Sequence, residues 1–319
     1  MFKSMIKSIS YPLIRSYFGI RSYGPVWLYM LNRKGRKLYQ ENLPILDPIQ
    51  KKVVEDFRRD GIASIHIDEL FPGRNLLPVL QKYVIQGIDD AETKMQKKFL
   101  KQLWDLIPLV DFKNVLMMLP LESRVIDIVN SYMGMCSRFY NLTLNVTTPV
   151  LPDAAAVSSQ RWHRDPEDRK MCKLFLYLND VDEYSGPFQY ILGSQRGGRY
   201  GRYFPQHPPK GTCPGDDKVA QVIPQSAMKS YTGRAGTIIF ADTTGFHKGG
   251  YAKTKERIMF TAGFCSSASV WPIRLKYPVD FVDQLARISH PHVLFALKPI
   301  PRSFSTSVFD RIRKVYTYE

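Results

Sequence analysis

The second half of the chain consists of short apolar segments separated by turns, and this pattern restricts the fold more than any other feature. Five segments have the alternation or the β-branched and aromatic content of strands: 139–146, 173–178, 188–192, 237–241 and 257–264. Turns rich in Gly and Asp separate them, for example at 180–186 and 243–250. Several short strands at this spacing predict a β-sandwich or barrel of about 130 residues.

Helical patterns precede these strands. Apolar residues at helical spacing predict an amphipathic helix from Asp47 to Arg59, which Asp60-Gly61 ends, and a short strand at 62–67 follows. Residues 75–135 carry apolar and aromatic stripes at helical spacing, so we expect this segment to be helical.

Two further segments have a distinct composition. Residues 196–217 are rich in Gly and Pro and predict a long loop, which in a compact domain tends to be a lid or a binding loop. The tail from 279 to 319 is expected to form short helices with a basic end at Arg311, Arg313 and Lys314.

The composition is that of a globular protein with a buried core. Of the 319 residues, 44% are hydrophobic and 23% charged, which allows one large domain with helical additions. No apolar stretch reaches the roughly 18 residues of a membrane-spanning helix. The four cysteines are widely separated and form no CxxC pair, which argues against a cysteine zinc site or a disulfide framework and suits a reducing compartment.

The net charge is +16, so an anionic partner is expected: nucleic acid, membrane phospholipid, or a small phosphorylated or carboxylated substrate. Residues 1–40 contain eight Lys or Arg and no acid. Phe2, Met5, Ile6 and Ile9 lie at helical spacing with Lys and Ser on the other face, which is typical of a helix on an anionic membrane surface. Two alternatives remain, a mitochondrial transit peptide and an accessory helix packed on the domain.

Three residues have the spacing of a metal site. His163 and Asp165 are two apart at a strand end and project to the same side, and His247 follows 84 residues later in a Gly-bearing turn. Two His and one carboxylate leave adjacent positions open on iron. Arg257 opens the next strand; if that strand returns antiparallel, its guanidinium faces the same cavity. The remaining histidines have no comparable partner and are interpreted as surface or hydrogen-bonded residues: His66, His207, His290 and His292.

These residues resemble the phytanoyl-CoA dioxygenase family of iron(II)/2-oxoglutarate oxygenases over roughly residues 45–265. The resemblance includes His247, Arg257 and four segments, FRRDG at 57–61, QRWHRD at 160–165, GPFQYILGSQ at 186–195 and AGTIIF at 235–240. One departure is Leu192-Gly193-Ser194-Gln195, where the family usually has Pro-Gly-Ser-His; these positions shape a turn.

The resemblance implies an α+β fold, a double-stranded β-helix (jelly-roll, cupin-like) core with flanking N-terminal and C-terminal helices. The expected organisation is a basic extension at 1–45, an oxygenase domain at 46–270 with strands mainly at 138–266, and a helical extension at 271–319. Fe(II), 2-oxoglutarate and O2 are implied as cofactor and co-substrates.

The resemblance also implies roles for six residues. The iron ligands would be His163, Asp165 and His247, and Arg257 would anchor 2-oxoglutarate. Phe175 and Asn145 fall where the family lines the 2-oxoglutarate pocket.

The expected activity is hydroxylation of an unactivated C–H bond in a small, anionic or lipid-like metabolite, in the cytoplasm or at a membrane surface reached through residues 1–40. Two alternatives are a catalytically silent jelly-roll binding protein and a nucleic-acid-directed oxygenase. The second lacks a separate recognition module, and its only basic run interleaved with aromatics is RYGRY at 199–203.

Overall fold

The structure is a computed structural model that describes residues 2–90, 94–97, 99–151, 156–206, 208, 211–269, 271 and 273–298. The expected basic end of the tail at residues 311–314 lies outside the described residues. The side chains of residues 2–11, which carry the expected amphipathic face, also lie outside them.

Two antiparallel sheets form the core. Seven strands belong to the larger sheet: β1 (Ile62–His66), β2 (Lys94–Lys97), β3 (Leu100–Gln102), β4 (Arg138–Thr147), β5 (Met171–Tyr177), β8 (Thr237–Ala241) and β10 (Arg257–Cys265). Their order in the sheet is β1-β8-β5-β10-β4-β3-β2. Three strands form the smaller sheet in the order β7-β6-β9: β6 (Phe188–Ile191), β7 (Met228–Tyr231) and β9 (His247–Gly249).

The two sheets pack face to face through an aromatic layer. Phe175 of the larger sheet and Phe188 of the smaller one have ring centroids 4.5 Å apart, and Tyr190 and Ile239 are buried in the same cluster. Because side chains alternate along a strand, the other face of the larger sheet carries a second layer, with Leu144 among its residues. The predicted jelly-roll core is confirmed.

Helices pack on that second layer and precede and follow the strands in the chain. They are α1 (Phe2–Ser22), α2 (Arg33–Glu41), α3 (Pro48–Asp60), α4 (Ile67–Leu70), α5 (Leu77–Asp90), α6 (Val115–Met118), α7 (Ser123–Met133), α8 (Asp216–Val222), α9 (Phe281–Ala286) and α10 (Pro291–Leu297). A π-helical segment spans Val26–Leu31, and 3-10 turns span Leu119–Leu121, Ser158–Gln160 and Gln225–Ala227.

The predicted helix-to-strand junction before β1 is confirmed, and its ends follow from the sequence. Asp47 and Gln50 cap the N-terminus of α3 reciprocally, each side chain accepting from the other's backbone N–H at 2.8 and 3.1 Å. Gly61 ends the helix with φ at 76°, a left-handed conformation that Gly adopts without strain. Phe57 stacks on Tyr132 of α7 with centroids 3.6 Å apart, so α3 and α7 pack together behind the larger sheet.

The prediction that residues 75–135 are helical is wrong in the middle of the segment. The helices α5 and α7 are present, but β2 and β3 form a hairpin that extends the larger sheet beyond β4. Phe99 and Leu103 are buried there, next to strand residues. A short apolar run is compatible with both the helical and the strand period. Pairing of β3 with the edge of β4 makes this segment a strand.

The residues that follow the first turns of α1 pack on the domain. Phe18 is buried among Tyr140, Met171 and other apolar residues, and the Trp27 indole N–H donates to Asp168 Oδ1 at 2.8 Å. This part of the chain therefore has the packing of an accessory helix. No helix in the described part of the chain is long and apolar enough to cross a membrane.

Candidate metal site

Backbone hydrogen bonds bring the two predicted histidines face to face. The N–H of His163 donates to the carbonyl of His247, and the N–H of His247 donates back, both at 3.1 Å. The Asp165 N–H donates to the Thr243 carbonyl at 2.8 Å, so the two segments run antiparallel. Gly245 completes this arrangement because a β-carbon there would collide with the Tyr190 hydroxyl.

The three side chains converge as the spacing predicted. His163, Asp165 and His247 each offer a ligand atom, and these atoms all lie within 4.8 Å of one another. The Nε2 atoms of His163 and His247 are 3.8 and 3.5 Å from the Asp165 carboxylate oxygens.

A hydrogen bond at Nδ1 fixes the orientation of each imidazole ring. His163 Nδ1 lies 2.8 Å from the Arg161 carbonyl, and His247 Nδ1 lies 3.0 Å from the Gly245 carbonyl. A carbonyl oxygen only accepts, so Nδ1 carries the proton and the Nε2 lone pair is directed at the cluster. This donor set, two imidazole nitrogens and one carboxylate, is that of non-haem iron(II) oxygenases.

A lysine compensates the buried carboxylates. Lys173 Nζ lies 2.5 Å from Asp165 Oδ2 and 3.8 Å from Glu167 Oε1. Burial would raise the pKa of Asp165, but the Lys173 ammonium outweighs burial and holds that pKa well below the ordinary value. Burial and the Asp165 charge raise the pKa of Glu167 to about 7, and burial lowers the pKa of His247 to about 3.

Arg257 is the first residue of β10 and is buried. Its guanidinium donates to the Gly186 carbonyl and, at 3.2 Å, to Thr147 Oγ1. Burial lowers the pKa of Arg257, and neighbouring Tyr177 raises it in part. The guanidinium has no carboxylate partner in the part of the chain that the structure describes, and its Nε is buried without a hydrogen-bond partner.

The strand of Arg257 does not pair with the strand of His247, which was the condition considered for the two residues to face one cavity. β9 pairs with β6 in the smaller sheet, whereas β10 lies between β4 and β5 in the larger one. The arginine nevertheless reaches the smaller sheet, because a methyl group at Gly249 would lie 3.5 Å from Arg257 Nη2. Gly249 of the smaller sheet and Arg257 of the larger sheet thus face each other.

The two predicted pocket residues occupy the inner face of the larger sheet. Phe175 on β5 pairs with Thr261 of β10, and Asn145 on β4 pairs with Met259 of β10. Thr261 and Met259 are two residues apart, so Phe175 and Asn145 point to the same side of the sheet. The Asn145 amide donates to Thr143 Oγ1 at 3.2 Å, while its Oδ1 is buried without a hydrogen-bond partner. Asn145 and Arg257 therefore line the same face.

Sequence reasoning missed Lys173, Glu167 and Arg164. Lys173 lies two residues before Phe175 on β5. Because side chains two apart on a strand point to the same side, the sequence could have predicted Lys173 on the inner face. Glu167 follows Asp165 by two residues, and nothing in the sequence marks it as buried. The interpretation of His66 as a hydrogen-bonded residue is confirmed, with Nε2 2.9 Å from the Ala235 carbonyl; His207 lies outside the described residues.

Arg164, between the two candidate ligands, points away from them. Its guanidinium donates to the carbonyls of Ser194 and Thr244 at 2.6 Å and of Tyr203 at 3.0 Å. It also lies 3.9 Å from the centroid of the Phe246 ring. Arg164 thereby ties the 194–203 loop to the segment that carries His247.

Comparisons with known proteins give a family match and several similar solved structures. The family model of Phytanoyl-CoA dioxygenase (PhyH) matches residues 111–259. Among solved structures, the non-heme alpha ketoglutarate dependent carbocyclase SnoK from nogalamycin biosynthesis has a TM-score of 0.50 and 16% identity, covering 82% of this chain and 95% of its own. EctD from S. alaskensis with bound Fe has a TM-score of 0.49 and 15% identity, covering 76% of this chain and 84% of its own. No curated protein matches.

The family match and the fold define the class. The family model of phytanoyl-CoA dioxygenase matches residues 111–259, just under half of the chain, and confirms the resemblance found in the sequence. The likeness to the carbocyclase, at this identity, shows a shared fold. The protein is a 2-oxoglutarate-dependent non-haem iron oxygenase, and the cluster of two His and one Asp has the donor set that such a metal requires.

Replacing Arg164 by Met should destabilise the protein by about 3–5 kcal/mol, because carbonyls of the 194–203 loop and of Thr244 lose a buried charged donor. Arg164→Lys should recover only part of this, since an ammonium cannot span the same carbonyls. Urea unfolding measures the change, with Arg161→Met, an exposed arginine of the same motif, as control. Equal stability of the Arg164→Met and Arg161→Met variants would contradict the assigned role.

Proposed function

We propose that this oxygenase hydroxylates an unactivated C–H bond of a small metabolite. In this proposal His163, Asp165 and His247 hold iron(II), and Arg257 holds the distal carboxylate of 2-oxoglutarate. The observation that carries the proposal is the buried Arg257 guanidinium beside the smaller sheet that bears His247, with no carboxylate partner among the described residues.

The residues fit the metal and its co-substrate. Iron(II) together with 2-oxoglutarate and O2 supplies an oxidative decarboxylation that releases succinate and CO2 and inserts oxygen into a C–H bond. The chain contributes two neutral imidazoles with Nε2 directed at the cluster and a carboxylate that Lys173 keeps ionised. Two His and one Asp leave adjacent coordination positions for the co-substrate.

Arg257 is suited to a dicarboxylate. A buried guanidinium costs several kcal/mol in lost hydration unless a partner compensates it. The Gly186 carbonyl and the Thr147 hydroxyl supply neutral acceptors, and the Nε atom has none. A carboxylate can accept two parallel hydrogen bonds from a guanidinium and would add the missing charge.

Phe175 and Asn145 would complete the walls of this pocket. Phe175 supplies an apolar surface against Phe188, and Asn145 supplies a buried amide oxygen that still lacks a donor. Both lie on the inner face of the larger sheet, as Arg257 does.

The 196–206 loop favours an anionic substrate. It carries Arg196, Arg199 and Arg202, of which Arg199 and Arg202 each lie over the ring of the following Tyr, at 5.3 and 5.4 Å from the centroids. Arg164 fixes this loop beside the segment that carries His247. Three cations on this loop would attract a phosphorylated or carboxylated small molecule.

Product mass tests the reaction type. SnoK is named a carbocyclase, so this fold also supports ring closure. We expect the product of this enzyme to gain one oxygen atom, with one succinate released per product. A product that lacks two hydrogens and gains no oxygen would contradict hydroxylation.

The Arg257→Met variant should raise the KM for 2-oxoglutarate by about 30-fold or more, because removing one partner of a buried charged pair costs about 2–5 kcal/mol. Arg257→Lys should keep part of the affinity, since a point charge remains without the bidentate geometry. Succinate formation at varied 2-oxoglutarate measures this, with Arg287→Met, an exposed arginine of the C-terminal segment, as control. An unchanged KM in Arg257→Met would contradict the assignment.

We further propose that the protein is cytoplasmic and that residues 1–40 rest on anionic membrane, where a lipid-like substrate would be reached. Leu13 and Ile20, seven residues apart on α1, are 71% and 63% exposed, and Met30 is 70% exposed. Exposed cations, Arg33 and Lys37 among them, lie close by in the chain. Apolar side chains flanked by cations are typical of an interfacial segment.

Vesicle co-sedimentation tests this placement. The protein should bind vesicles that contain phosphatidylserine and release them at high salt, because the attraction is partly electrostatic. Ile20→Ser combined with Met30→Ser should reduce binding, whereas Val279→Ser, at a fully exposed apolar residue elsewhere, should not. Equal binding by the two variants would exclude residues 1–40 as the contact.

A further inference from the structure

Three side chains far from the candidate iron site form a second cluster of ligand atoms. Asp127 lies on α7, His290 immediately precedes α10, and His292 lies in its first turn. His292 Nδ1 is 3.3 Å and His290 Nε2 is 4.0 Å from Asp127 Oδ1, and all three ligand atoms lie within 4.8 Å of one another. The interpretation of His292 as a hydrogen-bonded residue is confirmed by its contact with Asp127, but the sequence did not show that the three residues lie together.

The geometry approaches that of a tetrahedral metal site. Ligands about 2.0–2.1 Å from a zinc ion lie about 3.3 Å apart. The distance from His292 Nδ1 to Asp127 Oδ1 is 3.3 Å, and His290 Nε2, at 4.0 Å, would move inward by a small side-chain rotation. Pro291 between the histidines fixes its own φ and begins the helix, so both imidazoles are held near Asp127 before any ion binds.

A simple ion pair explains the cluster less well. At 4.0 Å, His290 Nε2 is too far from Asp127 for a hydrogen bond. A hydrogen bond at 3.3 Å accounts for His292 Nδ1 only, and within the described residues the ion-pair partners of Asp127 are these two histidines alone. A divalent ion would compensate the carboxylate and use one lone pair of each ring.

We propose that Asp127, His290 and His292 bind a zinc-type divalent transition-metal ion. The His290 side chain is 35% exposed, so water can occupy the fourth coordination position. This site does not rest on the proposed function, because it lies behind the larger sheet, on the side that α7 covers, whereas the triad lies on the inner side.

The ion would link the N-terminal end of α10 to α7. α7 packs against α3 through the Tyr132–Phe57 stack, and α10 contributes Leu297 to the same apolar layer. Tyr39 of α2 stacks on His292 with centroids 6.0 Å apart. An ion shared by α7 and the start of α10 would therefore join two helices, next to a third that contacts His292 through Tyr39, and would have a structural role.

Zinc titration in a His163→Ala, Asp165→Ala variant isolates this site from the triad. After treatment with a chelator, the variant should bind one Zn²⁺ per chain and unfold at a higher temperature with Zn²⁺ than without it. Co²⁺ in place of Zn²⁺ should give the strong visible absorption of a tetrahedral ion. Failure to bind either ion would overturn the proposal.

Adding Asp127→Asn or His292→Ala to that variant should weaken Zn²⁺ binding by at least about tenfold and abolish the thermal shift. Asp283→Asn, an exposed aspartate on α9, should leave both unchanged. If the double variant does not fold, the otherwise unaltered chain should bind two Zn²⁺ and the Asp127→Asn chain one. Binding that survives Asp127→Asn and His292→Ala would refute the site.

Discussion

The reciprocal backbone hydrogen bonds between His163 and His247 are the constraint on which the site depends. They join two segments that are 84 residues apart and belong to different parts of the jelly roll. Because side chains alternate along an extended segment, His163 and Asp165 point to one side and Arg164 to the other. The same three residues thus supply two candidate ligands and the clamp that holds the 194–203 loop.

Burial of charge explains much of the rest. Asp165 is buried and Glu167 is largely buried beside it, and Lys173 lies close to both carboxylates, so the three charges largely cancel. Arg257, by contrast, is buried with neutral acceptors only. The charges around Asp165 are thus already balanced, whereas the charge of the Arg257 guanidinium is not. Such a site is suited to receive a dicarboxylate together with a metal ion.

The sequence allowed prediction of the elements with strong local signals. The α3–β1 junction follows from the capping residues and Gly61, and the strands from β4 onwards follow from their alternation. The β2–β3 hairpin was not predictable, since its short apolar runs fit a helix equally well and only the open edge of β4 selects the strand.

For the site, spacing identified the two His and one Asp because they lie on paired segments. It could not show that β9 and β10 belong to different sheets, nor that Asp127 meets His290 and His292 across about 160 residues. Those relations depend on how helices and sheets pack, which the periodicity of one segment does not encode.

An anaerobic titration of the metal-free protein with iron(II) and 2-oxoglutarate, followed by visible absorption, tests the central claim most directly. A charge-transfer band of the iron-bound 2-oxoglutarate chelate should appear with the unaltered chain and be absent from a folded His163→Ala variant. A folded, unaltered chain that gives no band, or a variant that gives the same band, would contradict the assignment of His163, Asp165 and His247 as the iron site.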